Sequence, residues 1–172
     1  MRKFYLFTFL FSIALFISSN STFSQTADGT SKAPTAISDT TVITGEVGKI
    51  FTKAEADSLY GPVLIADTIK TEELAKLTTA SPKYMLFNLI EGKSFVLNDS
   101  RAVLLSNALI VGKALTVSPT QAFRVWSTSK VQELIKQGGS DVTTVETRAK
   151  ALTLTNGATV LEESAICPPL CH

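Results

Sequence analysis

From Val42 onward, short apolar runs alternate with polar, turn-forming stretches, the pattern of an antiparallel sheet protein with a few helices. The strongest signal is YMLFNLIEGKSFVLN, Tyr84 to Asn98, where two apolar runs flank Glu91-Gly92, a pair suited to a tight hairpin. LTLTNGATVLE, Leu152 to Glu162, predicts a second hairpin about Asn156-Gly157, with positive φ expected at both turn residues. Val142 to Arg148 and Val63 to Ile69 read as single strands, and VITGEVGKIF as strand-like but interrupted by Gly45 and Gly48. Shorter runs at Ala102–Leu105, Ala108–Val111, Ala114–Val117 and Ala122–Trp126 predict further strands, the last two split by Ser118-Pro119.

Three polar stretches carry helix punctuation. In TKAEADSLYGP, Thr52 and Glu55 form a capping box, Gly61 offers a left-handed exit and Pro62 stops continuation. In TEELAKL, Thr71 is the expected cap, and Glu72 and Glu73 stand in the first turn where the helix dipole favours negative charge. In SKVQELIKQ, Ser129 is the expected cap with Gln132 at the capping-box position and Gly138-Gly139 at the exit. EELAK, a strand and a hairpin at Gly92 echo QELIK, a strand and a hairpin at Gly157. Each unit ends in a Val-Leu-polar step, Val96-Leu97-Asn98 and Val160-Leu161-Glu162. Duplication and convergence on a common helix–strand–hairpin pattern both account for the echo.

The start of the chain sets the expected compartment. Arg2 and Lys3 precede the apolar run Phe4 to Ile17, and a small, polar stretch follows. This is the layout of a secretory signal peptide over residues 1–24, with Thr22 and Ser24 as the small residues and cleavage between Ser24 and Gln25. The run falls short of the roughly 20 residues a membrane-crossing helix needs, so no stable membrane span is expected after cleavage. No cysteine follows the run to carry a lipid anchor. Residues 25–41 are small and polar and read as a flexible linker. Residues 42–166 are expected to form one α+β domain of short antiparallel strands and hairpins with two or three short helices, and residues 167–172 a cysteine-containing tail.

Charge removes two classes of partner. Without Arg2 and Lys3, the 16 basic residues become 14, against 15 acidic ones, and they never cluster. Neither a nucleic-acid footprint nor a polybasic membrane patch is expected.

The sharpest chemical question is ICPPLCH, Ile166 to His172, which holds both cysteines and the only histidine. Cys167 and Cys171 have three residues between them, whereas thioredoxin-type redox pairs have two and a helix N-terminus that activates the first thiol. Pro168-Pro169 resists helix formation, so that activation is missing. In an oxidising compartment the two cysteines are expected to pair with each other, pinning the chain end through a tight loop that adds little by chain entropy, with pairing between two chains as the alternative. The motif resembles a c-type haem attachment signature but carries one extra residue between its cysteines. Its second axial ligand would have to be Met85, which lies in an apolar strand. Cys167, Cys171 and His172 also resemble an incomplete Zn or Cu(I) set, but the mature sequence has no further Cys or His to complete it. No cofactor is expected.

Other chemistry has simpler uses. Glu72-Glu73 suits a helix start, and Glu162-Glu163 point to opposite faces of a strand. Gly45 and Gly48 lack the spacing and following Lys of a phosphate loop. Trp126, Phe123, Tyr84 and Phe87 could form an aromatic face but suit a core. Asn98-Asp-Ser100 fits an N-glycan acceptor; Asp39-Thr-Thr41, Asp57-Ser-Leu59 and Asp67-Thr-Ile69 resemble short O-glycan acceptors, although turn and capping roles account for them equally. The expected protein is secreted or periplasmic and non-catalytic, with a binding or structural role toward an envelope or extracellular protein partner. The alternative is a thiol-redox or metal-handling protein using the tail, and a third reading is a hydrolase with a carboxylate site at Glu72-Glu73 or Glu162-Glu163.

Overall fold

The computed structural model describes residue 43 and residues 45–108 and 117–167. The proposed signal peptide with its Ser24/Gln25 cut, the linker, the Ala108–Val111 and Ala114–Val117 runs beyond Ala108 and Val117, and Cys171 and His172 lie outside them.

Among these residues, ten strands form two five-stranded antiparallel sheets, accompanied by three helices. In chain order they are β1 (Lys49–Thr52), α1 (Lys53–Tyr60), β2 (Val63–Lys70), α2 (Thr71–Ala80), β3 (Tyr84–Ile90), β4 (Lys93–Asn98), β5 (Val103–Ser106), β6 (Phe123–Ser127), α3 (Thr128–Gly138), β7 (Val142–Arg148), β8 (Leu152–Asn156), β9 (Thr159–Glu162) and β10 (Ala165–Cys167). One sheet runs β1-β9-β8-β7-β2 and the other β10-β6-β3-β4-β5. The expected α+β class stands in a strand-dominated form.

The main core lies between the sheets. Val145, Leu154 and Leu161 from one sheet meet Met85, Phe87, Val96 and Trp126 from the other, and Leu74 of α2 with Val131 and Leu134 of α3 close one side. Phe87 and Trp126 stack edge to face in this core with ring centroids 5.5 Å apart, whereas Phe123 and Tyr84 belong to the other face of the sheet. A second cluster, Leu86, Leu97, Phe123, Val125 and Cys167, covers the other face of the β10–β5 sheet. A third seats Ala56 and Tyr60 of α1 on Phe51 and Val160.

The two sheets are built from two equivalent halves that exchange their first strands. Each half is a strand, a helix and a three-strand meander: β2-α2-β3-β4-β5 and β6-α3-β7-β8-β9. β2 pairs with β7 of the other half and β6 pairs with β3, in matching register, with Ile69 opposite Thr143 and Trp126 opposite Met85. The helix starts repeat the relation: Thr71 N–H donates to Asp141 O at 2.9 Å, and Thr128 N–H donates to Lys83 O at 3.1 Å. Both acceptors immediately precede the strand that follows the other half's helix. Met85 faces Asn98 as Thr143 faces Asn156, so the two asparagines are structural equivalents.

This register corrects the sequence echo. The hairpin at Gly92 corresponds to the β7–β8 turn, not to the hairpin at Gly157, and Val96-Leu97-Asn98 corresponds to Leu154-Thr155-Asn156. The sequence match slid by one hairpin because both hairpins share a strand-turn-strand pattern.

Local punctuation was read correctly where it is self-contained. Thr52 and Glu55 form the full capping box, and Gly61 caps α1 at φ 77°. Glu91 and Gly92, at φ 53° and 73°, make the first hairpin turn. Three details differ. Thr71 is the first residue of α2, and Ser129 lies inside α3; the residues before these helices, Lys70 and Ser127, make no side-chain cap. Thr71 Oγ1 instead lies 3.0 Å from Thr143 Oγ1, and Ser129 donates to Glu46 Oε1 at 2.6 Å. At the second hairpin, Gly157 has positive φ but Asn156 does not: the turn is Gly157-Ala158, and Asn156 is the last paired residue of β8. The final strand also reaches one residue past the expected domain end, because Cys167 pairs with Phe123.

Candidate functional site

Two groupings of polar side chains stand out. The first is a buried ion cluster between α1 and the outer face of the β1–β2 sheet. Arg148, with a fully buried side chain, donates from Nη2 to Glu146 Oε2 at 2.7 Å and from Nη1 to Asp57 Oδ1 at 2.6 Å. It also donates to Thr153 Oγ1 at 3.0 Å and Gly61 O at 3.2 Å. Four of the five guanidinium N–H donors are thus committed, so the cluster fastens α1 to the sheet and has little left for a ligand. The Arg148 hydrogen bond, then that of Lys53, holds Asp57 below its ordinary carboxylate range. Nearby, burial and then the Glu162 carboxylate push the Tyr60 phenol up.

The second grouping is a cleft of about 340 Å³ where the sheets part, between β6–β10 on one side and the β7–β8 turn on the other. Arg124 stands on β6 opposite Phe87 on one side and Ile166 on the other, on the face turned toward the other sheet. Lys150 lies on the facing turn, and Leu152 and Ile166 supply apolar wall, while the neighbouring Phe123 turns its ring to the other face of the sheet. No acidic residue lines the cleft, and neither Arg124 nor Lys150 forms an ion pair among the described residues.

The pseudo-equivalent place in the other half is bridged. Asp67 occupies on β2 the place that Arg124 occupies on β6. Its Oδ2 accepts from Ser94 N–H at 2.7 Å and Asn107 Nδ2 at 2.8 Å, bridging the sheets. Burial works to raise its pKa, but these bonds outweigh that and hold Asp67 below its ordinary value. An acid latches one mouth of the sandwich, whereas a cation without an ion-pair partner stands at the other.

The residues singled out in the sequence are dispersed. Cys167 is buried at the end of β10, where its sulfur accepts from Arg101 Nη1 at 3.2 Å. Arg101 also donates to Ser118 O and Gln121 O and lies over Phe123, tying the loop before β6 to this strand. Glu72 pairs with Lys76 on the surface of α2; Glu163 pairs with Lys49, while Glu162 accepts from Glu163 N–H and Ser164 Oγ. Asn98 Oδ1 accepts from Ser100 and Ala102, a turn role. Asp57 and Asp67, from the acceptor-like triplets, are both engaged as described, and Asp39 lies outside the described residues. Among the described residues no three of His, Cys, Asp and Glu gather as a metal set, and no described helix is long and apolar enough to cross a membrane.

Sequence reading passed over Arg124 and Lys150 and took Asn156 for a turn residue only. An arginine inside FRVWS, where the pleat should face a core, was the available signal for the first. Compared with protein-family models, with characterised proteins and with solved structures, the chain matches none.

Proposed function

We propose that the protein is an exported, non-catalytic binding domain that works at the cell envelope or outside the cell, and that the open mouth of the sandwich is its binding site. The observation that carries this reading is the difference between the two mouths: Asp67 bridges one through Ser94 and Asn107, while Arg124 and Lys150 stand at the other without ion pairs among the described residues. Arg124 is half-buried and Lys150 exposed, so both charges stay open to solvent beside apolar wall, where a partner group can reach them. The thiol-redox or metal alternative has less support, since Cys167 is buried within a strand and exchange chemistry needs an accessible thiolate.

The test is a photo-crosslinking amino acid at Ala151, on the cleft wall, in intact cells. A crosslinked product that disappears in Arg124→Gln/Lys150→Gln is the expected result. A product unaffected by the charge substitutions, or none, would overturn the cleft as the working site.

A further inference from the structure

We infer that the cleft takes a small amphipathic organic anion, a carboxylate with an apolar chain. This inference rests on the binding reading above and names its ligand class. The charged end follows from Arg124 and Lys150, which approach from opposite sheets with no acidic residue among the lining groups. An arginine fork matches both carboxylate oxygens, and a nearby lysine adds charge without demanding geometry. Arg148 contributes wall but not recognition, because its guanidinium is taken up by Glu146, Asp57, Thr153 and Gly61.

The apolar end follows from the rest of the lining. Ile166 is 40% exposed although it belongs to a strand, and it lies beside Arg124 in register. Leu152 continues this surface inward. The closed mouth supplies the contrast: there Ser94 stands where Leu152 stands here, and its N–H holds Asp67. With arginine in the place of Asp67 the acceptor of that latch is gone, and leucine in the place of Ser94 leaves an apolar floor beside a cation. A volume of about 340 Å³ suits a ligand at the small end of the usual range. An inorganic anion would use the charges and leave Ile166 exposed; a neutral lipid would use the wall and leave the cations without a counter-charge.

Titration calorimetry of the full exported chain with octanoate, 1-octanol and inorganic phosphate tests this. Octanoate is expected to bind one per chain, to weaken at high salt, and to lose about tenfold or more in Arg124→Gln/Lys150→Gln. Lys136→Gln, at the exposed end of α3, should bind as the parent does. Ile166→Asp, which adds a negative charge at the mouth, should weaken octanoate whether or not the double variant folds. 1-Octanol should bind at least about tenfold less tightly than octanoate. Equal binding of octanoate by parent and cleft variants, equal binding of 1-octanol, or no octanoate binding would overturn the ligand class. Phosphate binding as tightly as octanoate would also overturn it. If crosslinking at Ala151 still depended on Arg124 and Lys150 in those cases, the ligand class alone would fall and the binding site would stand.

Discussion

Gly138 lies so close to Asn156 that a Cβ atom placed on it would stand 2.2 Å from Asn156 Oδ1. The end of α3 is therefore docked backbone-first onto the turn between β8 and β9. The approach is mutual, since a Cβ on Gly157 would meet Gly138 O at 2.5 Å. Gly139, one residue on, has positive φ but open space around it. Gly138→Ala should therefore cost about 2–3 kcal/mol by forcing helix and turn apart, more than Gly139→Ala, which pays only for backbone strain of about 1 kcal/mol. Gly157→Val combines strain and clash and should reach the upper part of about 1–3 kcal/mol or exceed it. Urea denaturation of the three variants gives the order; Gly139→Ala as the most damaging would refute the docking.

Asn156 holds this corner together. Its Nδ2 reaches Thr71 Oγ1, Thr143 Oγ1 and the carbonyls of Ser140 and Val142 at 2.9–3.1 Å, and its Oδ1 accepts from Ser140 N–H. Asn98, its equivalent in the other half, makes turn contacts at a partly exposed site. Asn156→Ala should cost about 3 kcal/mol or more, because buried donors and acceptors lose partners, while Asn98→Ala should cost about 1 kcal/mol. Similar denaturation midpoints for the two would show that Asn156 is not a hub.

Arg148→Met should destabilise by about 3–5 kcal/mol, since it strands Glu146 beneath α1. The same cluster sets an acid limb. Asp57 is depressed in the folded state below its ordinary 3.8, chiefly by Arg148. Its contribution is thus present above the unfolded pKa and is lost as pH falls through the lower folded value. Asp67 has the same sign through Asn107 and Ser94. Thermal midpoints measured from neutral pH down through this acid range should fall less steeply for Asp57→Asn/Asp67→Asn than for the parent. Parallel curves would contradict the assignment.

The proposed Cys167–Cys171 bridge predicts that exported protein contains no titratable thiol until reduced, and no bound metal. Burial of Cys167 in β10 changes the expected cost of removing it. From the sequence, serine at both positions should shift stability by less than about 1 kcal/mol, well under the usual cost of losing a native disulfide. With Cys167 buried against Phe123 and beside Arg101, Cys167→Ser should cost about 1–3 kcal/mol by placing a hydroxyl in an apolar cluster. Cys171→Ser alone should cost less. Free thiols in the untreated exported protein would remove the bridge.

Export itself is tested by N-terminal sequencing of the extracytoplasmic form. The small residues Thr22 and Ser24 place the first residue at Gln25 or within a few positions of it. A chain beginning at Met1 would sink the export argument.

What the sequence determined by itself is local. The capping box of Thr52 and Glu55, the Gly61 exit, the Glu91-Gly92 turn and the extent of β7 depend on residues within a few positions of one another, so they could be read directly. Thr71 and Ser129 looked like caps by the same rules, but packing redirected one hydroxyl to Thr143, 72 residues away in the chain, and the other to Glu46, 83 away. Asn156-Gly157 marked the hairpin correctly, yet the asparagine was taken into the corner where α3 meets β8. The strand exchange between halves was invisible in the sequence, since pairing β2 with β7 and β6 with β3 leaves every local pattern unchanged. That exchange brought β6 and the β7–β8 turn from opposite sheets to the two sides of one opening. Only the tertiary structure could show that Asp67 closes its mouth of the sandwich while Arg124 stands at one that remains open.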